Sequence, residues 1–238
     1  MQFNEAQIQA IQHNKGPCMV IAGPGSGKTT VLTHRVRYLI DRCGVNPSDI
    51  LVITFTKAAA EQMKLKFKGL SEGRNSAVTF GTFHAVFFTI LKAAYNYSAH
   101  CIIKPQIQHE FVKDQMCRLE LEYDDEKETV AGVLSEISCV KGEAVNIDEY
   151  ESRCIPQSFR IMYRAYDDML VRKHLIDFDD MIVQCRELLM QREDYRRAWQ
   201  NKYKYILIDE FQDINKAQFD VVRILADEYR NLFVVGDD

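Results

Sequence analysis

The sequence has little of what marks a secreted, zinc-stabilised or membrane-spanning protein. Its seven cysteines include no CxxC pair, and their number is odd, so neither a disulfide framework nor a zinc site is expected. No apolar run reaches the roughly 18 residues that a membrane-spanning helix needs. The first five residues lack the cationic start of a signal peptide, and no apolar core follows them. We therefore expect a soluble, cytoplasmic protein with free thiols and no membrane partner.

An excess of basic charge is also missing. The chain carries 30 Lys and Arg against 34 Asp and Glu, a formal net charge of −4. Without a global basic field, a nucleic-acid partner has to be bound by a local basic face or groove. The length of 238 residues, with 47% hydrophobic and 27% charged residues, is typical of a globular protein. It suits one large domain, or one domain with a substantial insertion.

Short apolar runs alternate with helical patterns near both ends of the chain. The runs 18–22, 49–55 and 205–209 have the length of buried strands. Helical patterns follow them at about 28–41, 57–68 and 215–229. Such alternation predicts an α/β fold, in which a parallel sheet is covered by helices on both faces. Between about 104 and 200 the patterns are almost entirely helical. We therefore predict a sheet domain that is interrupted by a mostly helical insertion.

The strongest local signal is a glycine-rich turn between the first predicted strand and the helix that follows it. The run consists of Ala22, Gly23, Pro24, Gly25, Ser26, Gly27, Lys28, Thr29 and Thr30. Glycines let backbone N–H groups curl around phosphate oxygens, and the helix N-terminus adds partial positive charge. Lys28 is predicted to reach the β- and γ-phosphates of a nucleoside triphosphate, and Thr29 to ligate Mg²⁺. The alternative is a plain glycine-rich turn.

The second signal is Asp209-Glu210 at the end of the apolar run 205–209. Asp209 is predicted to hold the Mg²⁺ shell opposite Thr29, and Glu210 to orient or deprotonate the attacking water. Most adjacent Asp-Glu pairs lie on solvated surface, but the preceding strand and the upstream glycine loop favour a site here. Lys28, Asp209 and Glu210 are therefore the predicted catalytic residues of a metal-dependent nucleoside triphosphate hydrolysis.

These residues stand in runs that resemble the motifs of superfamily 1 helicases of the UvrD/Rep/PcrA type. The matching runs, in chain order, are 3–7 for the Q motif, 54–63 for motif Ia, 81–85 for motif Ib, 177–181 for the segment after the insertion, 209–215 for motif II and 235–238 for the opening of motif III. Several motifs in this order are far more specific than a phosphate loop alone.

The resemblance implies a RecA-like core domain, called 1A in the family, formed by 1–95 and 176–238. A helical insertion, called 1B, is implied at 96–175. ATP and Mg²⁺ are the implied cofactors, single-stranded DNA the implied partner, and movement along it 3′ to 5′. Gln7 would read the adenine edge.

One residue departs from the family pattern. Many relatives place an arginine directly after the motif I threonine, where this chain has Thr30. The nearest later arginine is Arg35, about a turn and a half further along the predicted helix. The contact that this arginine makes in relatives is therefore left unassigned.

The resemblance places the DNA-binding residues in motifs Ia and Ib, and they are Phe55, Thr56, Lys57, Thr82, Phe83 and His84. Phe55 is the candidate base-stacking residue, and stacking is worth about 1–3 kcal/mol per base whatever the sequence. Further lysines at 64, 66 and 68 extend the local basic face. Residue statistics alone favour Phe55 as a core residue. An equal alternative for the lysines is the solvated face of an amphipathic helix, and for His84 a buried or helix-start histidine.

The chain ends at Asp238, inside the run that resembles motif III. The resemblance places a second RecA-like domain in a longer parent protein, with an arginine that reaches the γ-phosphate. Such an arginine is worth about 10³–10⁵ in rate, so we expect this chain to bind Mg·ATP weakly, hydrolyse it very slowly and not unwind DNA.

Three alternatives to this function remain. They are the helicase part of a RecB/AddA-like helicase–nuclease, a non-catalytic relative that binds DNA or a protein, and a P-loop kinase for a small metabolite. The non-catalytic relative is disfavoured because the chain keeps all four predicted nucleotide-site residues, Lys28, Thr29, Asp209 and Glu210. The kinase leaves the motif Ia, Ib and II runs unexplained.

Overall fold

A computed structural model describes residues 3–71 and 77–237, which belong to two compact units. The first unit is drawn from Met1–Phe87, Leu188–Ile214 and Phe219–Asp238, and the second from Phe88–Glu187 and Asn215–Gln218. The range predicted for the helical insertion, 96–175, falls within the second unit.

The first unit contains a five-stranded parallel sheet, as the alternation of strands and helices predicts. Its strands are β1 (Cys18–Ile21), β2 (Ile50–Thr54), β3 (Thr79–Thr82), β4 (Tyr205–Ile208) and β5 (Leu232–Gly236). They pair in the order β1-β5-β4-β2-β3, with every pair parallel. In a parallel sheet the carboxyl ends of all strands lie along one edge, so the segments that follow the strands meet there.

Ten α-helices occur in the part of the chain that the structure describes. They are α1 (Glu5–Gln12), α2 (Lys28–Asp41), α3 (Lys57–Leu70), α4 (Phe83–Ala94), α5 (Pro105–Arg118), α6 (Glu126–Gly142), α7 (Phe159–Lys173), α8 (Phe178–Gln191), α9 (Glu193–Lys202) and α10 (Lys216–Ala226). The predicted α/β class, a parallel sheet with helices around it, is confirmed. Helix α10 is shorter than the predicted span of 215–229. No helix among these is long and apolar enough to cross a membrane.

The core of the first unit lies between the sheet and helices α2 and α3. Strand β2 is buried along its whole length, which fits its run of aliphatic residues and its position between β4 and β3. Leu32 and Val36 of α2 are fully buried, and Met63 of α3 belongs to the same cluster. This packing fixes the starts of both helices at the carboxyl edge of the sheet.

Arg35 is buried in this core. It donates to the carbonyl oxygens of Ala10 at 3.3 Å and His13, and its guanidinium lies 4.3 Å from the centre of the Phe233 ring. Burial lowers the pKa of Arg35 to about 10. Its contacts join the end of α1 to α2 and β5, which gives this arginine a structural role.

The second unit is helical and has a separate core formed mainly by α5, α6 and α7. Lys141 of α6 is buried and forms ion pairs with three carboxylates, which we call the Lys141 cluster. The Lys141 Nζ lies 3.0 Å from Asp177 Oδ2, 2.7 Å from Asp180 Oδ1 and 3.1 Å from Asp167 Oδ1. Burial lowers the pKa of Lys141, but the three carboxylates, Asp177 foremost, outweigh burial and raise it overall. The lysine therefore stays charged.

Candidate functional site

The glycine-rich segment forms a loop between β1 and α2. Gly25 and Gly27 have φ angles of +75° and +85°, which residues with a Cβ rarely adopt. The Ser26 N–H donates to the Gly23 carbonyl at 3.3 Å, so the loop closes on itself. Pro24 and Ser26 are exposed, and the loop leads directly into the N-terminus of α2. Backbone N–H groups and a helix N-terminus thus lie together, as an anion-binding site requires.

Lys28, the first residue of α2, is held over this loop. Its ammonium donates to the carbonyl oxygens of Ala22 at 3.1 Å and Gly23 at 3.3 Å, and it forms an ion pair with the carboxylate of Asp237. Asp237 directly follows β5, and Asp238, the last residue of the predicted motif III run, lies outside the described residues. No short run of the sequence indicates the Lys28–Asp237 pair.

Thr29 and Asp209 meet beside the glycine-rich loop. The Thr29 hydroxyl donates to Asp209 Oδ2 at 3.2 Å, although the two residues are 180 positions apart in the chain. Asp209 is only 3% exposed, and its other oxygen, Oδ1, is buried without a hydrogen-bond partner among the residues that the structure describes. Burial, and then the neighbouring Glu210, raise the pKa of Asp209, while the Thr29 bond opposes them. The carboxylate is therefore incompletely compensated.

The oxygen atoms of these two side chains suit Mg²⁺, a hard cation that takes oxygen ligands. A Thr29 hydroxyl and an Asp209 carboxylate with an unpartnered buried oxygen are suitable ligands. Within residues 3–71 and 77–237, no cluster of three His, Cys, Asp or Glu side chains can hold a metal. A cation here would therefore need phosphate oxygens and water to complete its shell, as is usual for Mg²⁺.

Glu210 adopts a left-handed conformation with φ +56°, uncommon for a residue other than glycine. Its carboxylate accepts a hydrogen bond from Gln212 Nε2 at 2.9 Å. The Gln212 Oε1 in turn accepts the backbone N–H of Asp237 at 2.9 Å. Gln212 was part of the motif II run in the sequence, but no signal there indicated that it joins Glu210 to the segment after β5.

Gln7 lies against the glycine-rich loop. Its Nε2 donates to the Ser26 carbonyl at 2.9 Å, and its Oε1 accepts the backbone N–H of Asn4 at 3.0 Å. The Asn4 side chain completes a capping box by accepting the Gln7 N–H at 2.8 Å. The side-chain amide is therefore fixed by α1 and the loop, and its predicted contact with adenine stays a prediction. Thr30 lies in the first turn of α2, where its carbonyl accepts the Thr33 hydroxyl at 2.9 Å.

A separate groove of about 310 Å³ runs between α3, β3 and the start of α4. It is lined by Lys57, Ala60, Glu61, Lys64, Phe80, Gly81, Thr82 and Ala85. Two threonines cap the helices that begin beside it, since Thr56 Oγ1 accepts the Ala59 N–H at 3.1 Å and Thr82 Oγ1 accepts the Ala85 N–H at 3.2 Å. The groove thus combines two helix N-termini with two exposed lysines, Lys57 and Lys64.

The predicted DNA-binding aromatic residues differ in how far their side chains are buried. Phe83 is 1% exposed and packs against Phe87, so its ring lies in the core and not at the surface. Phe55 is half-buried and contacts Phe83 edge to face, with ring centres 5.3 Å apart. His84 is also half-buried, and burial lowers its pKa, which favours the neutral imidazole. Of the two rings, only that of Phe55 is partly accessible.

Comparison with known proteins gives a consistent set of matches. A family model described as the UvrD/REP helicase N-terminal domain matches residues 3–238. The ATP-dependent DNA helicase PcrA of Staphylococcus epidermidis is 34% identical over 242 residues, which cover 99% of this chain and 33% of that relative. PcrA of Staphylococcus aureus matches with the same identity and coverage. The chain therefore spans about a third of the length of the curated relatives that it matches.

Proposed function

The chain belongs to the UvrD/REP helicase N-terminal domain family, and on this premise we propose that it is the ATP-binding part of an ATP-dependent DNA helicase. One observation carries the proposal. The Thr29 hydroxyl lies 3.2 Å from the carboxylate of Asp209, whose second oxygen is buried and has no partner within the described part of the chain. Two chain segments thus converge on an incomplete oxygen-ligand set beside a phosphate-binding loop.

Lys28 is the residue that would bind the β- and γ-phosphates. Its present partners are two loop carbonyls and the carboxylate of Asp237, which is 35% exposed. Phosphate oxygens carry more negative charge than carbonyl oxygens. The Lys28 ammonium would therefore bind the phosphates of a nucleotide in place of these partners. The N–H groups of the loop and of the first turn of α2 would donate to the same phosphates.

Thr29 and Asp209 would hold Mg²⁺, which when bound neutralises charge that develops on the phosphates. Glu210 lies next to this position, where its carboxylate can accept a proton from the attacking water. In the family an arginine from a second RecA-like domain reaches the γ-phosphate, and such a group is worth about 10³–10⁵ in rate. We therefore propose that this chain binds Mg·ATP but needs the second domain of a longer parent protein for fast turnover and unwinding.

Single-stranded DNA is the second proposed ligand, and the groove between α3 and α4 is its proposed site. Lys57 and Lys64 line the groove, and the N-termini of two helices adjoin it, which together suit the phosphates of one strand. The half-buried Phe55 rests on Phe83 and can stack on a base, with no demand on sequence. The 3′-to-5′ direction of movement rests on the family resemblance alone.

The nucleotide site is tested by titrating Mg²⁺ and a fluorescent ATP analogue into the chain. Wild type should bind saturably, Lys28→Ala should lose binding by at least about 100-fold, and the exposed Lys15→Ala should bind as wild type. Equal binding by all three proteins, or binding by none, would overturn the nucleotide site.

The groove is tested by charge reversal on a single helix. Lys57→Glu and Lys64→Glu remove lysines that line the groove, whereas Lys66→Glu and Lys68→Glu make the same change elsewhere on α3. Fluorescence anisotropy with an oligothymidine should show weaker binding only for the first pair. The slope of log K against log salt should fall by about 0.7 for each lost phosphate contact. Equal losses for both pairs would indicate non-specific attraction.

A further inference from the structure

We propose that Gln212 is a positioning residue that fixes the carboxylate of Glu210 by bridging it to the end of β5. The inference rests on the proposed function, in which Glu210 accepts the proton of the attacking water. Gln212 itself would touch neither the nucleotide nor the water. It would act only through Glu210, and its contribution would appear in the hydrolysis step.

The bridge uses both ends of one side-chain amide. Gln212 Nε2 donates to Glu210 Oε2 at 2.9 Å, and Gln212 Oε1 accepts the Asp237 N–H at 2.9 Å. A second contact of Nε2, to Asp213 Oδ2, is longer at 3.3 Å. Because an amide has distinct donor and acceptor ends, these bonds allow one orientation of Gln212 and direct its NH₂ group to Glu210.

Gly236 leaves the space that this bridge needs. A Cβ at Gly236 would lie 2.9 Å from Gln212 Oε1 and 3.4 Å from the Gln212 backbone nitrogen. Gly236 is the last residue of β5 and pairs with Ile21 at the end of β1, from which the phosphate loop departs. The bridge therefore connects Glu210 with the same sheet edge that supports Lys28.

Glu210 needs such a restraint because its backbone does not provide one. It lies in the left-handed region with φ +56°, between the end of β4 and a short 3₁₀ turn at Phe211–Asp213. The turn is anchored by an edge-to-face contact of Phe211 with Phe219, at 5.9 Å between ring centres. That contact holds the turn but leaves the Glu210 side chain able to rotate. Of these contacts, only the Gln212 amide acts on the carboxylate itself.

Two substitutions separate the halves of the bridge. Gln212→Met keeps the length of the side chain but removes both hydrogen bonds. Gln212→Glu keeps an oxygen that accepts the Asp237 N–H, but it replaces the donor to Glu210 by a like charge. Gln191→Met, at the exposed end of α8, is the matched control. All four proteins are compared in single turnover with the chain in excess over ATP, which separates nucleotide affinity from the rate of phosphate release.

The expected result is a phosphate-release rate about 10-fold lower in both Gln212 variants, as is typical when a supporting group is removed. Nucleotide affinity should be unchanged, and Gln191→Met should match wild type. Hydrogen exchange of the Asp237 amide should be faster in Gln212→Met and near wild type in Gln212→Glu.

Three outcomes would overturn the inference. One is unchanged release in both variants while wild type binds nucleotide. Another is a loss confined to affinity, and the third is Asp237 exchange that does not respond to Gln212→Met. If wild type binds no nucleotide, the proposed function fails and this inference fails with it. If release is too slow to follow in wild type, Asp237 exchange alone decides.

Discussion

Two lysines with largely buried side chains pair with aspartate in contrasting surroundings. The side chains of Lys28 and Lys141 are 9% and 4% exposed, and each pairs with aspartate. Lys141 in the second unit has three carboxylate partners, and both oxygens of its partner Asp177 are bonded, Oδ2 to Lys141 and Oδ1 to the Asp180 N–H at 2.6 Å. Lys28 in the first unit has one carboxylate and two carbonyl partners, and beside it Asp209 keeps an unpartnered oxygen.

This difference separates a structural cluster from the proposed binding site. Buried charges are tolerated when they are paired and hydrogen-bonded, as in the Lys141 cluster. A site that binds a charged ligand has to leave some of its own charges without partners while it is empty. These unpaired charges lower the stability of the empty protein. Removing the charge of Lys141 should therefore destabilise the second unit, whereas removing the charge of Asp209 should spare or stabilise the first.

The largest effect is expected from Lys141→Met. Removing the lysine leaves the buried carboxylate of Asp177 without its cation, which should destabilise the helical unit by about 3–5 kcal/mol. Hydrogen exchange of the α6 amides measures this change. Lys127→Ala, an exposed lysine on the same helix, should stay within about 0.5 kcal/mol of wild type. Equal protection in both variants would show that the cluster is not structural.

Asp209→Asn is expected to change stability in the opposite direction. The substitution removes a buried, incompletely compensated charge and its repulsion by Glu210, so the first unit should become more stable by about 1 kcal/mol. Mg²⁺-dependent tightening of nucleotide binding should be lost at the same time. Denaturation can be followed by Trp199, the only tryptophan in the sequence and a residue of this unit. Asp227→Asn, on the exposed surface, is the control, and a destabilised Asp209→Asn would contradict the comparison.

A smaller effect concerns pH. Burial, and then repulsion by Asp177, raise the pKa of Asp180 to about 6, while Lys141 opposes them. A carboxyl group with a raised folded pKa stabilises the fold below its unfolded pKa near 3.8, and this contribution is lost as pH rises through about 6. The free energy of unfolding of wild type relative to Asp180→Asn should therefore fall between about pH 4 and pH 6. If this difference rose with pH in that window, folding would lower the pKa of Asp180 and not raise it. Asp124→Asn, at an exposed position, provides the reference.

The smallest effect is expected when a residue with left-handed backbone is replaced by glycine, once in each unit. Glu210 has φ +56° and Ala144 in the second unit has φ +53°. Glycine relieves about 1–2 kcal/mol of left-handed strain but loses about 0.5–1 kcal/mol in chain entropy. Glu210→Gly and Ala144→Gly should therefore each stabilise by about 0.5 kcal/mol in chemical denaturation. Only Glu210→Gly should abolish phosphate release, and equal release by both would remove Glu210 from the mechanism.

Much of the fold follows from local pattern. The run Cys18–Ala22 and the helix from Lys28 were predicted because a buried strand, a glycine turn and a helical period are each local signals. The bounds of α2, Lys28–Asp41, agree with that prediction. Helix α10 ends earlier than predicted, at Ala226, because apolar periodicity does not mark where the last turn unwinds.

The candidate site was predictable only in part. Lys28, Thr29, Asp209 and Glu210 stood out because their residue types follow apolar strands in recognisable spacing. Phe83 belonged to a run with the right motif, but whether its ring faces solvent depends on packing against Phe87. Lys141 gave no signal at all, since a lysine within a helical pattern is usually solvated and its three partners lie 26 to 39 positions away.

The sequence by itself determined the parallel α/β class and the family, and it predicted which residues take part in nucleotide chemistry, because these depend on local spacing. Tertiary structure alone decided which groups meet: Thr29 with Asp209, Lys28 with Asp237, and Glu210 with Gln212. The strand order brings the ends of β1, β4 and β5 side by side. Contacts between distant segments depend on that order and on what burial leaves unpaired, and neither is written in any short run of residues.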